Sequence, residues 1–177
     1  HSGMFGNAAR NPNQVLAEII ASLRNPDGSV ALEGFYDDVA ELDDVTRDSW
    51  AKLGFDGDKY LKDVGLSIPA GEQSRSVLEQ ITSRPTCEIN GMIGGYTGQG
   101  FKTVIPAKAS AKISFRLVSN MDPDKIRAAF RAHVRARVPA DCSVTFTEHG
   151  GSRAISVPTG GIYLKQARDA LTAEWGK

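Results

Sequence analysis

The chain has 177 residues, 41% hydrophobic and 24% charged, a composition that suits a globular domain with its own core. Basic and acidic residues balance at 21 each, which argues against a nucleic-acid surface or a polyelectrolyte tail. No apolar run approaches the roughly 20 residues of a membrane span, no signal-peptide pattern opens the chain, and two cysteines are too few for a disulfide framework. The expectation is a cytoplasmic protein that binds neither nucleic acid nor membrane, with Cys87 and Cys142 as small buried hydrophobes.

Residues 1–6 read as a loop. Asn11-Pro12 then marks a helix start, with Asn11 as cap and Pro12 at the first helical position. Val15, Leu16, Ile19, Ile20 and Leu23 recur at helical spacing, and the turn residues 25–28 end the stripe. Residues 30–36 suggest a short extended piece ending at Phe35 and Tyr36. The acidic stretch 38–84 predicts two or three short helices, packed through Trp50, Leu53, Phe55, Tyr60 and Leu61. After Pro85 the period changes to two, with Cys87, Ile89 and Ile93 on one side and Glu88 and Asn90 between them.

The clearest strand spans 107–117. Ala109, Ala111, Ile113, Phe115 and Leu117 alternate with Ser110, Lys112, Ser114 and Arg116. Asp122-Pro123 starts a second amphipathic helix, with Met121 and Ile126 in the two positions of a hydrophobic staple. Residues 142–148 alternate again and predict another strand; 161–175 predict a last helix. The order gives an α+β fold, a mainly antiparallel sheet with helices packed on one face.

Chemistry is sparse. A catalytic zinc needs about three converging protein ligands. His1, His133 and His149 form no such motif with one another or with a cysteine. His133 reads as a core-edge or surface side chain, and His149 as a loop residue. No Gly-x-Ser-x-Gly elbow is present. The glycine-rich residues 94–103 lack phosphate-loop spacing and precede a strand, so they read as a turn between strands. Arg116 stands on the polar face of its strand, where its planar fork could meet a carboxylate or simply solvent.

Three segments carry a family resemblance: HSGMFGNAARNPNQVL at 1–16, SRPTCEINGM at 83–92 and GGYTGQGFKTVIPAKASAKISFRLVSNMDPDKI at 94–126. Together they resemble the lid, or dimerisation, domain of the zinc-dependent exopeptidases that include carnosinase, aminoacylase and succinyl-diaminopimelate desuccinylase. Ser119 and Met121 stand where that pattern suggests proline and glutamine. The resemblance implies a ferredoxin-like lid over 1–150, its first strand preceding residue 1, and a return segment over 151–177 toward a catalytic domain. That domain would hold two zinc or related metal ions and the general base, with no cofactor in the lid itself. The lid would form a homodimer and cap a small peptide or acyl-amino-acid substrate. By motif, His1 would stabilise the oxyanion in the partner subunit. Thr103 and Arg116 would hold the substrate carboxylate, and Gly98 and Gly100 would let backbone approach it. The competing reading is a stand-alone ferredoxin-like module that binds a small ligand or dimerises.

Overall fold

Asn11 opens the longest early helix as its polar side chain dictates. Its Oδ1 accepts from the Asn13 N–H at 3.0 Å, capping the helix Pro12–Ala21 (α2). Such detail comes from a computed structural model that describes residues 1–176. Before α2, residues 1–6 are not a plain loop. Ser2–Phe5 form a single helical turn (α1) with His1 as its N-cap. Histidine is outside the usual capping set of Ser, Thr, Asp and Asn, so the residue types do not signal this turn.

The turn after α2 packs backbone against backbone. Gly28 has φ +82°, and a Cβ there would stand 2.1 Å from the Gly71 carbonyl oxygen. Only glycine permits that approach. The Gln73 N–H closes the contact by donating to the Asp27 carbonyl at 2.9 Å. Residues 30–36 contribute one bridge, Arg24 with Val30, and then turns rather than a strand. Phe35 is nonetheless among the most deeply buried side chains.

Three short helices follow: Asp44–Ala51 (α3), Gly57–Lys62 (α4) and Val77–Thr82 (α5). Of the proposed packing residues only Leu61 is buried; Leu53 is 66% exposed, while Phe55 and Tyr60 lean on each other with ring centroids 5.5 Å apart. Charge does much of the fastening here. Arg84 is 8% exposed and forks onto Glu72 through two contacts of 2.8 Å, with Glu41 at 3.2 Å and the Tyr36 ring 5.2 Å below. The Glu72 hydrogen bonds raise the guanidinium's pKa, against the pull of burial.

Thr86–Gly94 (β1) and Ala109–Arg116 (β2) pair antiparallel. The β2 alternation is as the sequence predicts, half-buried and exposed in turn. β1 breaks its own pattern. A bulge between Ile89 and Gly91 leaves Asn90 without a partner and flips the faces beyond it. Met92 therefore pairs with Ala111 and Ile93 with Ser110, on opposite faces of the hairpin, and both stay exposed, at 54% and 63%.

Asp122 caps the helix Pro123–Arg135 (α6) through the Asp124 N–H, and Met121 and Ile126 are both buried as the staple requires. Ser119 turns at φ +49°, a conformation closed to proline. The core gathers Leu23 beyond α2, Phe35, Cys87 of β1, Met121 and Ile126, with Phe115 and Phe130 against it. Both α2 and α6 thus lie on one face of the hairpin, the α+β layering expected.

Residues 142–148 are not a strand. A strand exists only through a neighbour's backbone groups, and no backbone hydrogen bond of the described residues involves 143–157. The alternation packs on α6 instead. Phe146 meets the Phe130 ring at 6.1 Å and lies under Arg131 and Arg135, while Glu148 pairs with Arg127 and Arg131. Ile162–Trp175 (α7) ends the chain with no buried residue; Leu164, Leu171 and Trp175 are exposed.

His133 sits buried at the core edge. Ser22 Oγ donates to the Ile19 carbonyl at 2.7 Å, so His133 Nε2–H, 2.8 Å from Oγ, must be the donor in the second bond. Burial first, then the Arg137 charge, lowers the His133 pKa below 6.5; the Ser22 bond opposes them. The neutral ring is favoured by folding, so its contribution is whole above pH 6.5 and is lost as pH falls through the lowered folded value. Urea midpoints should drop from about pH 7.5 to 5.5, less steeply in His133→Gln. Equal slopes in the two proteins would rule this out.

Candidate functional site

The glycine loop begins where β1 meets α2. A Cβ on Gly94 would stand 1.9 Å from Asn13 Oδ1, so the first turn of α2 lies directly on the strand end. Gly95 and Gly100 hold positive φ, +75° and +84°, where L side chains are strained. Tyr96 folds back into the loop, its hydroxyl donating to the Gln99 carbonyl at 2.8 Å. Lys102 Nζ lies 4.6 Å from the same ring centroid. Gly98 fits under that ring; a Cβ there would come within 2.6 Å of the Tyr96 hydroxyl. The segment is thus a shaped loop rather than a slack one. Tyr96 and Asn13 shape it, and glycine spacing alone pointed to neither.

His1 and Thr103 come together across a hundred residues of chain. The Ser2 N–H donates to the Thr103 carbonyl at 3.2 Å, docking α1 onto the loop. His1 is exposed, and its Nδ1 accepts from the Gly3 N–H at 3.2 Å. The Thr103 side chain is exposed as well.

Arg116 is elsewhere. It pairs with Thr86 at the end of the hairpin away from the loop. From Ala109, β2 runs about 23 Å to reach it. Arg116 is exposed and, among the described residues, makes no ion pair and no hydrogen bond to His1 or Thr103. Lys112, Ser114 and Ser110 share its polar face.

Metal and nucleophile chemistry find little here. Among the described residues no three His, Cys, Asp or Glu side chains gather as a metal site. His149 is exposed in the segment after 142. Burial pushes the Cys87 thiol up to about 11, with nearby Arg24 opposing, so the thiol stays protonated at neutral pH. Cys87 is accordingly the buried hydrophobe expected, while Cys142 is only half-buried.

Known proteins resemble this chain in sequence and fold. Residues 1–142 match the family model described as the peptidase dimerisation domain. The chain is 31% identical over 134 residues to the Cys-Gly metallodipeptidase dug1 of Schizosaccharomyces pombe, covering 76% of this chain and 28% of that protein. It is 27% identical over 136 residues to the Beta-Ala-His dipeptidase of Rattus norvegicus, covering 77% and 28%. The crystal structure of the M20 family metallo-carboxypeptidase Sso-CP2 from Sulfolobus solfataricus superimposes with a TM-score of 0.86 at 32% identity, covering all of this chain and 45% of that one. The chain spans less than a third of the length of these two curated relatives. The match favours a peptidase lid over a stand-alone ligand-binding module. No helix of the described residues is long and apolar enough to cross a membrane. Matched over residues 1–142 and superimposed over its whole length, the chain belongs to the M20 peptidase dimerisation-domain family.

Proposed function

We propose that residues 1–150 are the dimerising and substrate-capping lid of a metal-dependent hydrolase that cleaves dipeptides or acylated amino acids. Residues 151–177 form the return toward its catalytic domain. Two zinc or related ions would be held by that domain, as the similarity to metallopeptidases suggests. The lid's own work is binding and charge stabilisation. His1 offers an N–H to the scissile carbonyl oxygen as that oxygen gains charge, an interaction worth most in the transition state. Arg116 presents two parallel donors to a substrate carboxylate, and Thr103 adds a hydroxyl to the same carboxylate. Gly98 and Gly100 leave the loop backbone bare for close approach.

The supporting observation is the separation within one chain. His1 and Thr103 form one group through the Ser2–Thr103 bond, and Arg116 lies at the other end of the hairpin. An extended dipeptide spans only about 7 Å, far less than β2. A substrate that meets both groups takes them from two copies, which is the arrangement of a homodimer with shared sites. The exposed apolar surface of α7 suits contact with the catalytic domain.

Arg116 supplies the test. In a polypeptide carrying this lid and its catalytic domain, Arg116→Ala should lower kcat/KM about tenfold to a hundredfold for substrates with a free carboxylate. Most of the change should be in KM. The corresponding C-terminal amides should respond much less. Equal losses on acids and amides would remove Arg116 from carboxylate recognition.

A further inference from the structure

We infer that Gly3 is a positioning residue: its backbone N–H fixes the tautomer of His1, and its missing side chain makes room for the imidazole. The inference rests on reading His1 as the oxyanion donor, and it adds what makes the ring ready to donate.

An amide N–H can only donate. The Gly3 N–H lies 3.2 Å from His1 Nδ1, so Nδ1 must be the unprotonated nitrogen. In the neutral ring the proton is then on Nε2, which is left to donate. Neutral histidine otherwise chooses its tautomer by whichever partner it meets. Here the partner is part of the same helical turn, so the choice is made before substrate arrives. Preorganised donors of this kind cost no reorientation during reaction.

A second, independent observation concerns space. A Cβ on residue 3 would stand 3.3 Å from both Cε1 and Nδ1 of His1. The ring therefore lies against Gly3, and a methyl group there would move it by a few tenths of an ångström. Gly3 does not need glycine for its backbone, because it sits inside a helical turn without positive φ. Alanine is the better helix former at such a position. Glycine at residue 3 is explained by the ring above it rather than by the turn.

The turn itself is held at its start. The His1 carbonyl accepts from the Met4 and Phe5 N–H groups at 3.2 and 3.1 Å, and the Ser2 N–H is tied to Thr103. A ring displaced by a substituent at residue 3 therefore moves relative to a fixed frame.

The experiment has two arms. Nitrogen-15 NMR on the 177-residue chain, with labelled histidine and the His1 signals assigned by their loss in His1→Gln, reads the tautomer directly. With the ring neutral, His1 should show a pyrrole-type Nε2 and a pyridine-type Nδ1. Gly3→Ala should shift it toward a mixture. A mixture or an Nδ1-protonated ring in the unaltered chain would overturn the inference, whatever the activity of the parent. In the second arm, the full-length parent with Gly3→Ala should lose roughly tenfold to a hundredfold in kcat with KM little changed. A merely structural glycine predicts no loss, since alanine favours the turn. Unchanged kcat would overturn the positioning role. If His1→Ala left kcat intact, the proposed role of His1 would fall, and the tautomer arm would still report separately on Gly3.

Discussion

Mixing two inactive full-length enzymes should restore about a quarter of wild-type activity, when one carries His1→Ala and the other a destroyed catalytic domain. Each variant alone should be nearly dead. Loss of a single transition-state donor typically costs about a hundredfold to a thousandfold in turnover. His1→Ala should leave folding and self-association intact, because His1 is exposed and its turn is tied to the loop through the Ser2 backbone rather than the imidazole. Random pairing of two chain types gives about half heterodimers. In each, the subunit with an intact catalytic domain receives its histidine from the other, and one site in two works. A histidine acting within its own subunit would give a different result. The intact half would lack its donor, the donor-bearing half would lack its catalytic groups, and mixing would restore nothing. That outcome would end the shared-site mechanism while leaving family membership untouched.

Arg84→Met should cost about 3–5 kcal/mol of stability, a large share of what holds a domain of this size folded. Arg84 is nearly buried, and its fork onto Glu72 sits where side-chain exposure is only 8% and 13%. Deleting the guanidinium leaves the Glu72 carboxylate desolvated with its paired donors gone. That uncompensated charge, more than the lost attraction, sets the cost. Tyr36 also loses the cation over its ring, and Glu41 falls back on Arg75 alone. The double variant Arg84→Met with Glu72→Leu should recover most of the loss, because it removes the stranded charge. Denaturant titrations of the four proteins complete the cycle. A single-variant cost below about 1 kcal/mol would place the pair with ordinary surface ion pairs.

Local chemistry was readable wherever one residue type performs one task. Asn11 and Asp122 announced their helices because a short polar side chain satisfies free N–H groups at a helix start. The β2 alternation was readable because one face is covered by helices and the other meets solvent. The glycine run was legible as a turn, and the resemblance carried by residues 94–126 named Thr103 and Arg116 as candidates. None of this says where the candidates lie relative to one another.

Distances between elements were decided only in three dimensions. The bulge at Asn90 reverses which of Met92 and Ile93 shares the face of Ala111 and Ile113, and an extra residue in a strand leaves no mark on composition. Residues 142–148 have the alternation of a strand, but a strand needs a neighbour's backbone, and Phe146 instead found the rings and guanidinium groups of α6. The helices of 38–84 are fastened by Arg84, Glu72 and Glu41, which are charged letters that read as solvent until burial pairs them. His1 caps α1 although histidine is no ordinary cap, and the Ser2–Thr103 bond joins residues a hundred positions apart. Sequence thus determined the elements whose cause is local: caps, periodicity and turn chemistry. Tertiary structure decided register, ion pairing and the grouping of site residues, because those depend on which distant surfaces share the space.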